Sequence, residues 1–121
     1  PTAVATEAAV ASEEASTRSL GKQLASNATT IYGGSGSLPV YLPSGNFWAD
    51  LVVQIGYTDT NSLITCSVLT PNGNDISLGS IAGTGSSTSP YEIGYAPAGT
   101  YIFSFSSAIQ TPYEVAAFIF D

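Results

Sequence analysis

The residues of this chain that could do chemistry are one cysteine, two cations and nine carboxylates, and the chain contains no histidine. Without histidine, a serine or cysteine nucleophile lacks its commonest activating base. A serine–lysine pair would have to use Lys22, which lies in a segment without a core to hold it. Cys66 lies in an alternating apolar stretch, so we expect a buried structural thiol. These observations predict that the protein is not an enzyme.

The carboxylates beyond residue 30 are spread over separate segments. They are Asp50, Asp59, Asp75, Glu92, Glu114 and Asp121. Glycoside hydrolysis needs two carboxyl groups at a defined separation, and this spacing brings no two of them together. Zinc sites need several His or Cys ligands, and an Asn–Asp pair such as Asn74–Asp75 is typical of turns. We therefore predict no catalytic residue, no metal site and no cofactor.

The charge distribution excludes two classes of partner. The formal net charge is -7, and the only basic residues are Arg18 and Lys22. Residues 30–121 contain no cation, and a surface without cations cannot neutralise phosphates, so we predict no nucleic-acid binding. No apolar run approaches the roughly 18 residues of a membrane span, so we predict no membrane insertion. The surface must consist of Ser, Thr, Gly, Asn and Tyr, which suits packing against other copies of the chain.

Residues 29–121 have the pattern of an all-β domain. Short runs of alternating apolar and polar residues are separated by Gly, Pro and Asn. Two of these runs supply much of the predicted core: Leu51, Val53, Ile55 and Tyr57 on one face, and Tyr101, Phe103 and Phe105 on another. No helical pattern separates the runs, which excludes parallel βαβ units. We predict an antiparallel β-sandwich or jelly roll of seven to eight strands.

The stretch VLTPNGNDISLG, residues 68–79, predicts a hairpin. Pro71 presets φ for the first turn position, and Asn72 and Gly73 tolerate positive φ. Because cross-strand ion pairs are not available there, the register must come from the turn and from the core pattern. We interpret this turn as a corner of the fold.

The same stretch carries a resemblance to a known family. CSVLTPNGNDI and the later YAPAGTYIFSFSS resemble the strand–PNG–strand and PAGTY pattern of pre-peptidase C-terminal-like modules. Those modules are small extracellular β-sandwiches that serve as accessory domains of secreted bacterial proteins. The resemblance covers roughly residues 40–107, although Thr65 and Ser67 stand where those modules usually place aspartates. It implies a β-sandwich and no catalysis.

Residues 1–28 are rich in Ala, Glu, Ser and Thr and contain no aromatic residue. Residues 7–20 favour a helix by propensity, whereas 2–10 also fit an extended strand, so we predict a helical or extended N-terminal arm. The arm lacks a core of its own, so it is either disordered or docked on a neighbouring subunit. Its candidate anchors are Val4, Val10, Leu20 and Leu24. We therefore divide the chain into an assembly arm, 1–28, and a β-sandwich, 29–121, which we expect to fold without the arm.

Tyrosines on the surface are candidates for a subunit interface or a sugar-binding platform, because an apolar ring is joined to a polar hydroxyl. The candidates are Tyr41, Tyr91, Tyr95 and Tyr113. Trp48, at the start of a strand, is expected to be a core residue instead.

The coreless arm, the absence of cations after residue 30 and the lack of a catalytic set together predict a non-catalytic structural subunit of a repetitive, outward-facing assembly. The leading hypothesis is a virion surface protein, such as a capsid or tail decoration or fibre subunit. The alternatives are a secreted filament or cell-surface matrix subunit and a carbohydrate-binding accessory module. The expected location is the virion surface or the extracellular space. The expected partners are copies of the chain, with a different structural subunit or a glycan as further candidates. A start at Pro1 fits either removal of an initiator methionine or cleavage of a signal or pro-segment.

Overall fold

The computed structural model describes residues 21–56, 62–82 and 86–121. These residues form nine β-strands, and no helix among them is long and apolar enough to cross a bilayer. The strands are β1 (Gln23–Ile31), β2 (Gly36–Leu42), β3 (Asn46–Gly56), β4 (Leu63–Leu69), β5 (Asp75–Ala82), β6 (Ser86–Ser87), β7 (Tyr91–Ala96), β8 (Gly99–Ser107) and β9 (Tyr113–Phe120).

The strands form two sheets. Sheet A has the order β1-β9-β3, with β6 and β7 both paired to β3, and sheet B has the order β2-β8-β4-β5. The paired strands run antiparallel in both sheets. This arrangement confirms the predicted antiparallel β-sandwich, with nine strands in the described residues instead of seven to eight.

The core lies between the sheets and follows the period-two alternation of the strands. The faces predicted on β3 and β8 point into it, and their members are at most 2% exposed: Leu51, Val53, Ile55, Tyr101, Phe103 and Phe105. Tyr57, the fourth residue predicted on the first face, lies outside the described residues. Removing these large apolar side chains from water is the main favourable contribution to folding.

Strand β1 begins inside the segment that the sequence analysis assigned to the arm. It pairs along β9 from Gln23 opposite Phe120 to Ile31 opposite Tyr113. Leu24, predicted as an anchor for a neighbouring subunit, packs against the core of its own chain. Residues 23–28 therefore belong to the sandwich. These residues do not alternate between buried and exposed positions, since residues 26–29 are all exposed.

Trp48 is buried, as the sequence predicts for a core residue. The side chain is 6% exposed, yet it does not belong to the cluster between the two sheets. Alternation along β3 places Asp50 and Val52 on the outer side of sheet A, whereas Trp48 lies where the pairing of β3 with β7 shifts register, between Asn46 and Ala49.

Candidate functional site

A groove lies between the β4–β5 turn and strand β7. Its volume is about 170 Å³. Residues from two distant parts of the chain line it: Thr70, Asn72, Asn74 and Ile76 on one side, and Tyr91, Glu92, Ile93, Tyr95 and Pro97 on the other. The structure therefore brings two of the four candidate tyrosines, Tyr91 and Tyr95, to one site.

The turn that forms one wall of the groove is held by Thr70. The Thr70 N–H donates to the carbonyl oxygen of Asn74 at 2.9 Å, and the Gly73 N–H donates to the carbonyl oxygen of Thr70 at 3.0 Å. The Thr70 hydroxyl accepts from the N–H of Asn74 at 3.0 Å and donates to Oδ1 of Asn72 at 2.5 Å. Gly73 has a φ of 90°, which glycine adopts without strain. The turn is the corner that the sequence predicts, and it is also a wall of the groove.

The opposite wall presents two tyrosine rings. Tyr91 is 42% exposed and Tyr95 is 53% exposed. Gly94 lies between them with a φ of 69°, and the pairing of β7 with β3 shifts register there. A bulge of this kind bends a strand and redirects the side chains that follow. The bulge lies between the two tyrosines, and both Tyr91 and Tyr95 line the groove opposite the β4–β5 turn.

The corner after β7 is fixed by a buried hydroxyl. The hydroxyl of Tyr101 donates to the carbonyl oxygen of Pro97 at 2.7 Å. Burial raises the pKa of Tyr101 to about 12, and the nearby Tyr95 adds to the shift. The Tyr101 hydroxyl therefore keeps its proton at neutral pH and continues to donate this hydrogen bond.

The groove combines aromatic rings with amide and carboxylate groups. A tyrosine ring offers an apolar face and a polar hydroxyl. The side-chain amides of Asn72 and Asn74 each offer donors and an acceptor, and the carboxylate of Glu92 offers acceptors. Such a set can stack on a polyhydroxylated ring and hydrogen-bond to its edge. In the part of the chain that the structure describes, no three His, Cys, Asp or Glu side chains are grouped to hold a metal ion.

Tyr113, predicted as an interface or glycan-contact residue, is a core residue. It is 1% exposed, and its hydroxyl donates to the carbonyl oxygen of Gly34 at 2.7 Å. Burial raises the pKa of Tyr113, and Cys66 adds to the shift. The first residue of a strand can face either side of a sheet, so only the packing of the loop before β2 reveals this burial.

The other predicted site residues lie apart from the groove. Tyr41 is 64% exposed on β2, in sheet B. Val4, Val10 and Leu20 lie outside the described residues. Asn72, Asn74 and Glu92 were not predicted as contact residues. No pattern in the sequence indicates that the β4–β5 turn lies beside β7. The contribution of these three residues to the groove could therefore not be predicted from the sequence.

Hydroxyl groups cover much of the outer face of sheet B. The pairing register aligns one row across four strands: Ser37, Ser104, Ser67 and Ser77. A second row contains Ser106, Thr65 and Ser80, in which the Thr65 and Ser80 hydroxyls lie 3.1 Å apart and hydrogen-bond. Each hydroxyl can both donate and accept. This face can therefore hydrogen-bond to a partner without contributing a charge.

Exposed apolar side chains lie beside the hydroxyl rows. Leu63 is 60% exposed and Leu69 is 46% exposed, and both project from β4 on this face, as Tyr41 does from β2. In the described strands of sheet B, Asp75 is the only carboxylate, and it lies at the end of the edge strand β5. The outer face of sheet B is therefore nearly uncharged and partly apolar.

Cys66 lies in the middle of β4 and is fully buried, as expected from the sequence. Burial raises the pKa of the Cys66 thiol to about 11. Since the thiolate is the nucleophile, a thiol that stays protonated and inaccessible at neutral pH is unreactive. Cys66 contributes to packing between the sheets.

No protein-family model matches the chain, and no curated protein matches it. Among solved structures, the chain is similar to AlgX of Pseudomonas aeruginosa, with 17% identity and a TM-score of 0.49. The match covers 81% of this chain and 26% of that one, so this chain spans about a quarter of the length of that structure. It is also similar to a carbohydrate binding module from Cellvibrio mixtus lichenase 5A in complex with cellotriose, with 14% identity and a TM-score of 0.39. That match covers 84% of this chain and 91% of the module. A third similar structure is the C-terminal domain of a structural protein from Sulfolobus turreted icosahedral virus, with 20% identity and a TM-score of 0.37. That match covers 78% of this chain and 98% of the viral domain. Similarity at this level supports no inference about function. These comparisons do not test the resemblance to pre-peptidase C-terminal-like modules, which stays a prediction.

Proposed function

We propose that this chain is a non-catalytic structural subunit of a repetitive, outward-facing assembly, in which the outer face of sheet B packs against another copy. Within this class we favour a virion surface protein, such as a capsid or tail decoration or fibre subunit. A secreted filament or cell-surface matrix subunit is the alternative within the same class. The observation that supports the proposal is the nearly uncharged, partly apolar outer face of sheet B.

Removing a face of this composition from water costs little free energy when another protein covers it. Charged residues are depleted at interface cores because removing a charge from water is costly. Burial of Leu63, Leu69 and Tyr41 contributes roughly 25 cal/mol per Å² of apolar area. The hydroxyl rows supply donors and acceptors alike, so two identical faces related by a two-fold axis can satisfy each other.

An arginine in the middle of this face is expected to prevent assembly. Ser104 is exposed on the central strand β8, so Ser104→Arg should fold normally and bury an unpaired charge only when copies associate. We expect the association constant to fall by roughly a hundredfold or more, because an uncompensated buried charge costs several kcal/mol and about 1.4 kcal/mol is a factor of ten. Sedimentation velocity over a range of protein concentrations measures the change.

Ser44→Arg is the matched control, because Ser44 is exposed in the loop between β2 and β3. This variant and the wild type should associate to the same extent. Added salt should have little effect, because the face holds no ion pairs for salt to screen. The proposal fails if Ser104→Arg assembles like the wild type or if salt dissolves the assembly.

The groove supports a second candidate function, the binding of a carbohydrate. Two exposed rings, Tyr91 and Tyr95, face the amide groups of Asn72 and Asn74 across an open groove. Ligand sites typically combine apolar or aromatic walls with a few polar groups that set orientation. A sugar is the ligand class that uses both parts of this groove.

Removal of either ring is expected to weaken glycan binding by roughly tenfold, the value of one aromatic contact. A glycan array would identify a ligand of the wild type, and calorimetry would compare Tyr91→Ala and Tyr95→Ala with it. Tyr41→Ala is the control, because Tyr41 does not line the groove. Absence of any glycan ligand, or an equal loss in Tyr41→Ala, would argue against this second function.

A further inference from the structure

A second concavity continues the groove beyond Tyr91. Its volume is about 420 Å³, and Tyr91 lines both the groove and this concavity. The lining of the second concavity comes from residues 78–81 of β5 and from residues 87–91, which lead into β7. The two walls of the groove, the β4–β5 turn with β5 on one side and β7 on the other, thus extend along the same two segments. The groove and the second concavity form one long cleft.

The long cleft follows the open side of the sandwich. On the other side the edge strands β1 and β2 are bridged, because the side-chain amide of Asn27 donates to the carbonyl oxygen of Pro39 at 2.8 Å. On the side of the cleft the edges are β5 in sheet B and β6 and β7 in sheet A. Ile76, Leu78 and Ile93 line the cleft and pack against the core, but they stay only partly buried. The core therefore gives the long cleft an apolar floor.

The polar side chains of the second concavity are uncharged. They are Ser80, Ser87, Thr88 and Ser89, and the hydroxyl of a serine or threonine can both donate and accept. Among the described residues that line the long cleft, Glu92 is the only one that carries a charge. An anionic ligand would meet Glu92 without a compensating cation, since residues 30–121 contain none. The lining therefore suits a neutral ligand that combines apolar faces with many hydroxyl groups.

The long cleft offers more length than a disaccharide can use. Strand β5 lines it from Ile76 to Ile81, and six residues of a strand span roughly 20 Å. The turn residue Asn72 extends the lining further at the groove end. At the other end the hydroxyl of Ser86 donates to the carbonyl oxygen of Ala82, which links β5 to β6. A disaccharide would fill only the groove, whereas a chain of several sugars would contact both concavities.

An extended peptide would occupy the same space by pairing with the free edge of β5 or β7. Both strands are irregular. The pairing of β5 with β4 shifts register near Gly79, which has a φ of 87°, and the pairing of β7 with β3 shifts register near Gly94. A bulge interrupts the row of backbone donors and acceptors that an added strand needs. A glycan does not need such a row, because side-chain rings, amides and hydroxyls can hold it.

We propose that the long cleft binds a linear, neutral oligosaccharide, with Tyr91 at its centre and the two concavities holding neighbouring parts of the ligand. The inference rests on carbohydrate binding as the second candidate function. It extends that function in two respects, because the ligand is longer than a disaccharide and is uncharged. It does not depend on association through sheet B.

The dependence of affinity on ligand length and charge tests the proposal. The probes are neutral oligosaccharides of two and six units, made of glucose, mannose or xylose, and a hexamer of galacturonic acid. Calorimetry with the full chain should find a neutral hexasaccharide that binds roughly tenfold or more tightly than its disaccharide, because only the longer ligand reaches the second concavity. The galacturonic acid hexamer should bind more weakly than that hexasaccharide.

A bulky group in the second concavity should remove the advantage of the longer ligand. Ser89 is exposed and lines this concavity but not the groove. Ser89→Cys can therefore be labelled with a large maleimide, while buried Cys66 stays unlabelled. The labelled variant should bind the hexasaccharide as weakly as the disaccharide and keep the wild-type affinity for the disaccharide. Ser26→Cys with the same label is the matched control, because Ser26 is exposed on β1 at the other edge of sheet A, and it should bind both ligands like the wild type.

The outcomes separate this inference from carbohydrate binding itself. Equal affinity of the wild type for the disaccharide and the hexasaccharide would overturn the inference and leave the groove as a site for one or two sugars. Tighter binding of the galacturonic acid hexamer, or unchanged hexasaccharide affinity in labelled Ser89→Cys, would also overturn it. If no glycan of the panel binds, or if only a hexapeptide of alternating valine and threonine does, carbohydrate binding fails and this inference fails with it.

Discussion

A chain that starts at residue 29 is expected to lose the folded sandwich. The deletion removes residues 23–28 of β1, which pair with β9 from Phe120 to Ala116. It also removes Leu24 and Ala25, which are partly buried and pack against the core. Backbone hydrogen bonds are each worth roughly 0.5–1.5 kcal/mol, and the partly buried Leu24 adds a fraction of the roughly 1.5–3 kcal/mol that a fully buried leucine contributes. The combined loss is comparable with the roughly 5–15 kcal/mol that holds a small domain together.

A chain that starts at Gly21 is the matched control, because it keeps all of β1. Circular dichroism and thermal unfolding should show a cooperative sandwich for this control and its loss in the chain that starts at residue 29. The same unfolding temperature for both chains would contradict the structural role of β1. That outcome would instead support the sequence-based expectation that residues 1–28 are dispensable for folding.

Phe103→Ala is expected to lower the free energy of unfolding by about 3–5 kcal/mol, as is usual when a buried phenylalanine leaves a cavity. Phe103 is fully buried on the central strand β8. In the pairing register it lies between Leu38 of β2 and Val68 of β4, which are also buried. Strand β8 is paired on both sides, with β2 and with β4, so its backbone cannot easily move to fill the space.

Urea unfolding measures this effect, with Ser104→Ala as the control. Ser104 is the next residue along β8 and points to the outer face of sheet B, so its variant should change stability by no more than about 0.5 kcal/mol. The urea concentration at the midpoint of unfolding should fall for Phe103→Ala. The slope of the unfolding free energy against urea concentration should stay the same. A loss similar to that of the control would mean that Phe103 does not bridge the core as described.

The two candidate surfaces can be used at the same time. The groove is lined by the β4–β5 turn and β7, whereas the assembly face is the outer side of β2, β8, β4 and β5. The Tyr91 and Tyr95 variants are therefore expected to leave association unchanged, and Ser104→Arg to leave the groove intact. Measuring both properties in each variant separates the two functions.

The sequence by itself determined the class of the fold, its inward faces and the near absence of cations. Alternation with period two is a local property, so Leu51, Val53 and Ile55 could be assigned to one buried face before any pairing was known. The turn at Pro71 to Gly73 was also predictable, because the φ angles it needs depend on those residues alone. Burial of Cys66 followed from the same alternation.

Only the tertiary structure decided which residues meet across the chain. The sandwich begins at Gln23 because β1 pairs with β9, and no local pattern in residues 23–28 reports that pairing. The buried Tyr113 donates its hydroxyl to the carbonyl oxygen of Gly34 in a distant loop, and Tyr91 and Tyr95 line one groove with Asn72 and Asn74 because the fold brings β7 beside the β4–β5 turn. Pairing between strands that are far apart in the sequence sets these positions. The contacts that stabilise this pairing join segments whose proximity neither composition nor residue spacing indicates.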